Sequence, residues 1–192
     1  MIKDPIARFK EVLSQAEAAG IVLPNAAAFA TVGKESQPTV RMLLLKDADD
    51  SGFVFYMNMR SPKARQMEEN ALASACFWWP ALEQQVRVEG SVEAVSDEEA
   101  DDYFATRPRG SQIGAWASDQ SSELSSRDEL ITAVKAVEDK YGDQPIPRPP
   151  HWSGYRLVPQ RIEFWVGKQD RLHERYLYTR REDGWAISLL AP

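Results

Sequence analysis

The sequence holds few of the residues on which several chemistries depend. Cys76 is its only cysteine, so an internal disulfide is excluded, and its place in the apolar run Leu72 to Trp79 predicts a small buried hydrophobe in a reducing compartment. His151 and His173 are the only histidines, and neither stands at ligand spacing to the other or to Cys76, which argues against any metal site. No Gly-x-Ser-x-Gly elbow, P-loop or Gly-x-Gly-x-x-Gly fingerprint occurs, so hydrolase and dinucleotide-fold chemistry has no foothold. The longest uncharged stretch, Ala18 to Gly33, contains Pro24 and Asn25 and falls short of the roughly 20 apolar residues of a membrane helix. The beginning, MIKDPIARFKEV, mixes acids with bases and lacks the apolar core of a secretory signal, so no membrane association and a cytoplasmic location are expected. A net charge of -6 opposes general attraction to nucleic acid.

What the sequence has is charge unevenly spread. Residues 89 to 102 hold seven acids and no Lys or Arg, whereas Arg156 to Arg181 hold seven bases against three acids. An acidic chain that concentrates arginines in one segment is suited to a small anion rather than a polyanion. At 192 residues, 43% hydrophobic and 27% charged, it is expected to form one domain, 1–192, with a sizeable core.

Periodicity predicts the elements. Asp4 and Pro5 open an amphipathic helix that stops at Gly20. β-rich runs follow at Ala27 to Val32, Thr39 to Lys46 and, after the DADDSG turn, Phe53 to Met57. A short helix is expected from Ser61 to about Glu69, then a strand from Ala71 to Trp79. Gln85 to Val95 alternates, with Val86, Val88, Val92 and Ala94 on one face. Ser96 and Glu99 form a capping box for a helix that must end near Arg107, before Pro108. A helix over Arg127 to Tyr141 precedes strands at Gly154 to Leu157, Arg161 to Val166, Arg175 to Thr179 and Trp185 to Leu189. Seven or eight strands with three or four interspersed helices predict a mainly β, α+β fold: an antiparallel barrel, closed or partly split, with peripheral helices.

Several cations stand where an anion can be held. Ser61-Pro62-Lys63 combines a capping Ser, a first-turn Pro and a Lys at a helix N-terminus. Tyr103 and Arg107 are spaced i, i+4 and are expected to share a helix face, with Ser111 just beyond Pro108. Arg41 and Lys46 differ in parity on one strand, so a strand end or bulge must intervene if both serve one site. On the strand Arg161 to Val166, Ile162, Phe164 and Val166 are assigned to the core, and Trp165 falls on the polar face with Arg161 and Glu163. A Trp there wants a dimer mate, a planar cofactor or arginine stems as its partner. Trp78 and Trp79 are expected in sheet or dimer packing.

The segments RMLLLK (41 to 46), FYMNMRSPKARQMEEN (55 to 70), LEQQVRVEG (82 to 90), YFATRPRGSQIGAWASDQSS (103 to 122), IEFWVGKQDRLHERYLY (162 to 178) and the ending LLAP carry a resemblance to the pyridoxamine 5'-phosphate oxidase family. The resemblance runs from Asp4 to Pro192 and implies an FMN-binding split barrel, a homodimer with FMN at the subunit interface. It also implies oxidation of pyridoxamine or pyridoxine 5'-phosphate by O2 to pyridoxal 5'-phosphate and hydrogen peroxide. The FMN contacts it implies are Arg41, Met42, Leu43, Leu44, Leu45, Lys46, Tyr56, Met57, Lys63, Gln85, Gln120, Ser121, Trp165 and Arg175. Lys46, Tyr103, Arg107 and Ser111 would hold the substrate phosphate, while Arg171, Leu172 and His173 would meet the substrate ring, Arg171 and His173 being the catalytic pair.

Two features depart from the family's pattern. Pro62 stands where relatives commonly carry Arg, which shifts FMN retention onto Lys63, Arg41 and the helix N-terminus. The chain also begins close to its first helix, without the longer arm of some relatives, so a less gated pocket is expected. A flavin- or pyridoxal-phosphate-binding barrel without turnover, or another split-barrel flavin reductase, is the alternative. Neither has a need for Tyr103, Arg107 and Ser111 together with Arg171 and His173.

Overall fold

In the computed structural model of the chain, which describes residues 2–192, nine strands and five α-helices form. Helix α1 (Pro5–Ala18) begins where Asp4 accepts the Ile6 amide at 2.8 Å, with Pro5 in the first turn, and it ends before Gly20 at φ +71°. The strands are β1 (Ala26–Val32), β2 (Pro38–Leu44), β3 (Asp47–Asp49), β4 (Gly52–Asn58), β5 (Leu72–Trp79), β6 (Gln84–Ala94), β7 (Trp152–Val166), β8 (Glu174–Arg181) and β9 (Gly184–Leu190). The remaining helices are α2 (Pro62–Glu69), α3 (Asp97–Thr106), α4 (Arg109–Ala117) and α5 (Arg127–Tyr141). Among the described residues, no helix is long and apolar enough to cross a membrane.

One sheet runs β2-β1-β5-β6-β7-β4-β3, and β8 branches from β7 to pair with β9. The pairs β1–β2, β1–β5, β3–β4, β5–β6, β7–β8 and β8–β9 are antiparallel. Among the described residues β2 pairs only with β1, so its outer edge leaves main-chain groups for a ligand or a second chain.

The chain forms two compact units, one comprising the residues up to Phe55 with Gln66–Glu93 and Arg156–Pro192, the other Tyr56–Arg65 with Ala94–Tyr155. In the first, Phe9 of α1 packs edge-on against Phe53 and Phe77, each at 4.9 Å, and lies 6.1 Å from Trp79. Edge-to-face rings of this kind add about 0.5–1.5 kcal/mol beyond burial. In the second, Phe104, Ile113, Ile146 and Trp152 make a smaller core flanked by Tyr56, Tyr103 and α5 side chains.

Several boundaries differ from expectation. Helix α4 was not anticipated, and the runs 154–157 and 161–166 are one 15-residue strand that passes through Pro159. Proline's fixed φ is compatible with extended chain wherever its missing donor is not needed. DADDSG is a hairpin whose first arm is β3. Cys76 is half-buried rather than buried, and Ala94, assigned to the core face of β6, is exposed. Val166 is half-buried and Glu163 is enclosed, the reverse of their assigned faces. Of the tryptophan pair, Trp79 is enclosed and donates to the Pro24 carbonyl at 2.8 Å, whereas Trp78 is 49% exposed.

Candidate functional site

In the second unit, the start of α2 has the chemistry of an anion hole. The backbone carbonyl of Ser61 takes the amides of Ala64 and Arg65, but its side chain does not cap the helix as expected. Ser61 Oγ is enclosed and has no partner among the described residues. A buried hydroxyl left unpaired costs about 1–3 kcal/mol. Lys63, the second residue of the helix and buried, donates from Nζ to Gln120 Oε1 at 3.0 Å. Two residues 57 apart in sequence are thus joined where free amides and the helix dipole favour negative charge. A phosphate monoester, with acceptor oxygens for the hydroxyl, the ammonium and the amides, fits this arrangement. Ser121, beside Gln120, is exposed and turns the chain with φ +74°.

A second cation in this unit is mounted on aromatic rings. Ser96 Oγ caps α3 by accepting the Glu99 amide at 3.1 Å, as the capping box predicts. The helix ends at Thr106, so Arg107 is an extended C-cap residue (φ -69°, ψ 145°) rather than a member of Tyr103's helical face. Its guanidinium still reaches that face, lying 4.6 Å over the Trp152 ring and 5.4 Å from Phe104. Tyr103 stacks on Tyr56 at 4.1 Å and 9°, and Tyr56 is parallel to Trp152 at 5.2 Å. Arg107 Nη1 is buried without an acceptor, and no carboxylate pairs with Arg107 among the described residues. Burial lowers its pKa, and the neighbouring Tyr103 opposes that shift. A guanidinium kept uncompensated in this way has the character of an anion receptor. Ser111 lies in the first turn of α4 and is exposed.

In the first unit, Arg41 of the edge strand β2 donates to the Phe29 carbonyl (3.1 Å), Thr31 Oγ1 (2.7 Å) and Thr39 Oγ1 (2.5 Å). It has no acidic partner among the described residues, and burial lowers its pKa. Met42 is exposed, Leu43 and Leu44 are half-buried, Leu45 is buried, and Lys46 lies beyond the strand end with its amide bonded to the Val54 carbonyl. The strand therefore stops between Arg41 and Lys46, as their parity requires.

A second group gathers across β5, β6, β7 and β8. Trp165 lies 5.9 Å from Trp78, whose register partner is Gln85, and 4.5 Å from the His173 ring. Arg175 is the register partner of Trp165. Its Nε bonds Glu163 Oε1 at 2.7 Å and its Nη1 bonds the Ala191 carbonyl at 2.9 Å, while Glu163 Oε2 takes Arg87 Nη2 at 2.8 Å. The bond to Glu163 raises the pKa of Arg175. The amide of Lys168 donates to His173 Nδ1 at 3.2 Å, so Nδ1 carries a lone pair and the neutral ring bears its proton on Nε2. Arg171, the last residue of a short turn, and Leu172 after it are exposed, and in that turn Asp170 (φ 55°) and Arg171 (φ 61°) are both left-handed. Such backbone costs about 1–3 kcal/mol per residue and concentrates at functional sites.

Of the expected site residues, Lys63 meets Gln120, Tyr56 meets Tyr103, and Trp165 meets His173 and faces Arg175. Met57 is buried in β4. Lys46, Ser111, Arg171 and Leu172 are exposed and make no side-chain hydrogen bond to another of these residues among the described ones. Sequence reasoning missed Trp152, the ligand-ready state of Ser61 and the bridging role of Glu163. For Glu163 a signal existed, a lone acid on the polar face of an arginine-rich segment.

A curled antiparallel sheet with helices set around it defines the split-barrel class of fold. Residues 13–141 match the family model described as pyridoxamine 5'-phosphate oxidase, and residues 152–192 match the pyridoxine 5'-phosphate oxidase C-terminal dimerisation region. The chain belongs to the pyridoxamine 5'-phosphate oxidase family of FMN-binding oxidoreductases. It is 53% identical over 189 residues to the pyridoxine/pyridoxamine 5'-phosphate oxidase of Myxococcus xanthus, covering 98% of this chain and 92% of that one. The enzyme of the same name from Anaeromyxobacter dehalogenans is 52% identical, with 98% and 96% covered. Among solved structures, PhzG from Burkholderia lata in complex with tetrahydrophenazine-1-carboxylic acid matches with TM-score 0.94 and 31% identity, covering 100% of this chain and 94% of that one. A pyridoxamine 5'-phosphate oxidase-related, FMN-binding protein from Nostoc punctiforme shares the fold, with TM-score 0.77, 17% identity and 96% and 97% covered.

Proposed function

We propose that the chain oxidises pyridoxamine 5'-phosphate and pyridoxine 5'-phosphate to pyridoxal 5'-phosphate, with O2 reduced to hydrogen peroxide. The observation that carries this is the presence, in one compact unit, of two distinct anion receptors, Ser61 with Lys63 and Tyr103 with Arg107. A cofactor and a substrate that each bear a phosphate monoester require two. Family membership and the relatives' names support the same assignment.

Ser61, Lys63 and Gln120 are assigned to the FMN phosphate, together with Arg41 and the open edge of β2 from Met42 to Lys46. Tyr56, Met57, Gln85, Ser121, Trp165 and Arg175 complete the flavin contacts. Glu163 and Ala191 occupy two nitrogens of the Arg175 fork, so Nη2 is the edge it presents. When bound, FMN supplies a two-electron acceptor for the hydride on the substrate C4' carbon and hands the electrons on to O2. The alcohol loses two hydrogens to give the aldehyde, and the amine gives an imine that water converts to the aldehyde and ammonia.

Tyr103, Arg107, Ser111 and Lys46 are assigned to the substrate phosphate, and Arg171, Leu172 and His173 to its ring. With Nδ1 accepting from Lys168, His173 acts through Nε2 as a hydrogen-bond donor to the substituent at C4' or to the oxygen of the hydroxyl on the pyridine ring. Arg171 supplies the cation that orients the ring. A homodimer is the working form, supported by the dimerisation-region match and by apolar surface at Val40 (67% exposed), Met42 (63%) and Leu189 (70%).

Pyridoxamine 5'-phosphate added without oxygen to FMN-loaded protein should bleach the flavin band, and admitting air should restore it with formation of peroxide. Failure to bleach removes the assignment. A second activity, oxidation of a reduced tricyclic carboxylate, draws support from the match to PhzG with its bound tetrahydrophenazine-1-carboxylic acid. Bleaching by that compound and not by either phosphate would establish it instead.

A further inference from the structure

Arg107 owes its position chiefly to a residue outside its own helix. Having left α3 in extended conformation, it keeps one ring of that helix, Phe104, at 5.4 Å, and pairs with no carboxylate among the described residues. Its guanidinium rests on the buried indole of Trp152, 45 residues further along the chain. The same indole is parallel to Tyr56, on which Tyr103 stacks, and it meets Phe104 edge-on at 5.1 Å. Trp152 is in turn fastened to α3. Arg148 Nη1 donates to the Trp152 carbonyl at 2.7 Å, while Arg148 Nη2 and Nε reach Asp97 (2.7 Å) and Asp101 (2.5 Å) in the first turns of that helix. The Trp152 amide closes the turn on the Pro149 carbonyl at 2.9 Å. Arg148 therefore ties the proline-rich segment to the helix that carries Tyr103, and Trp152 is the shelf between Tyr56 and Arg107.

We propose that Trp152 is a positioning residue for the phosphate-binding pair Tyr103 and Arg107, fixing both before substrate arrives. The proposal rests on the assignment of that pair to the substrate phosphate. A long cationic side chain loses rotamer freedom when it binds an anion, and a side chain already held flat on a ring loses less. The ring also holds the guanidinium without neutralising it, as a carboxylate would. The uncompensated Nη1 is the mark of this arrangement.

The test uses FMN-loaded enzyme and compares Trp152→Leu, which removes the flat face, with Trp152→Phe, which keeps one. Trp152→Leu should raise KM for pyridoxamine 5'-phosphate about tenfold and weaken competitive inhibition by inorganic phosphate in parallel, with kcat falling less than about threefold. Trp152→Phe should recover most of both losses. Equal KM and phosphate inhibition in Trp152→Leu and wild type would overturn the proposal. Should Trp152→Leu fail to fold, Asp97→Asn with Asp101→Asn loosens the shelf from exposed positions. That pair should raise KM about threefold, and an unchanged KM there overturns the proposal too. The underlying assignment fails differently, through an Arg107→Ala enzyme that keeps wild-type KM and wild-type inhibition by phosphate.

Discussion

The carboxylate of Glu163 accepts a hydrogen bond from Arg175 Nε at 2.7 Å. It also takes Arg87 Nη2 at 2.8 Å, so one enclosed acid holds two guanidiniums on neighbouring strands. Glu163→Ala leaves Arg175 without its carboxylate and Arg87 with Glu89 alone, at 2.9 Å. Breaking a fully buried ion pair costs about 3–5 kcal/mol. Here the arginines are partly solvated, 38% and 27% exposed, which reduces the loss to about 2 kcal/mol. For a chain of this size that lowers Tm by about 4–8 °C. Glu163→Gln keeps an acceptor and should lose roughly half as much. Thermal unfolding of the FMN-loaded variants measures both, and an unchanged Tm in Glu163→Ala would show that the bridge is not a structural element.

Lys63 and Arg171 should separate cofactor retention from turnover. Lys63 is buried at a helix start with Gln120 as a neighbour, whereas Arg171 is exposed at the end of the turn 169–171. Lys63→Ala removes a charge-assisted contact and should weaken FMN binding about 10- to 100-fold, with activity recovered by excess FMN. Arg171→Ala should leave FMN binding within about threefold and lower kcat about 100-fold. Fluorescence titration of apoenzyme with FMN, set beside steady-state turnover, distinguishes them. Equal effects of both changes on both quantities would undo the division of roles.

Local signals were legible in the sequence where they sufficed to determine structure. The Asp4–Pro5 and Ser96–Glu99 pairs fix their own helix starts through bonds spanning two or three residues, and the alternation of β6 follows from one buried face. What depends on distant partners was not legible. The α4 sequence RGSQIGAWA has two glycines and little apolar period, and it gains its place by burying Ile113 against Phe104 and Trp152. The Ser61 hydroxyl satisfies the rule for a cap and is not used as one, although the carbonyl of the same residue closes the first turn. Trp152 stands just after Pro149, Pro150 and His151 and reads as loop; that it carries Arg107 emerges only once α3 and Trp152 are brought together within their unit. Parity in Leu72 to Trp79 did contain the answer for Cys76, which shares the face of exposed Trp78 and not that of Phe77 and Trp79.

Cys76 should be a poor nucleophile although it is only half-buried. Desolvation raises its pKa, Arg87 opposes this, and Glu163 adds to it. A raised thiol pKa means that the fold favours the protonated form. Its contribution to stability is complete below the ordinary thiol value of about 8.5 and is lost as pH rises through the higher folded value. At pH 8 iodoacetamide should label Cys76 about tenfold more slowly in native protein than in urea, with mass spectrometry as the readout. Equal rates would refute the assignment of an unreactive thiol.

Gly90 should tolerate no side chain at all. It lies in the middle of β6, where a Cβ would sit 2.9 Å from the Val158 carbonyl carbon of β7, closer still to its oxygen, and 3.1 Å from the Gln160 amide. All three obstacles are backbone, so relief requires the two strands to part near the point where β7 passes through Pro159. Overpacking of this kind costs about 2–3 kcal/mol, and Gly90→Ala should lower Tm by about 5–10 °C. Gly114 is the matched control, since it lies inside α4 with no atom within 4 Å of its added Cβ. There the exchange only improves helix propensity, by about 0.5–1 kcal/mol, and Gly114→Ala should raise Tm by about 1–3 °C. If both variants shift Tm in the same direction, the close approach of β6 to β7 is not what reserves position 90 for glycine.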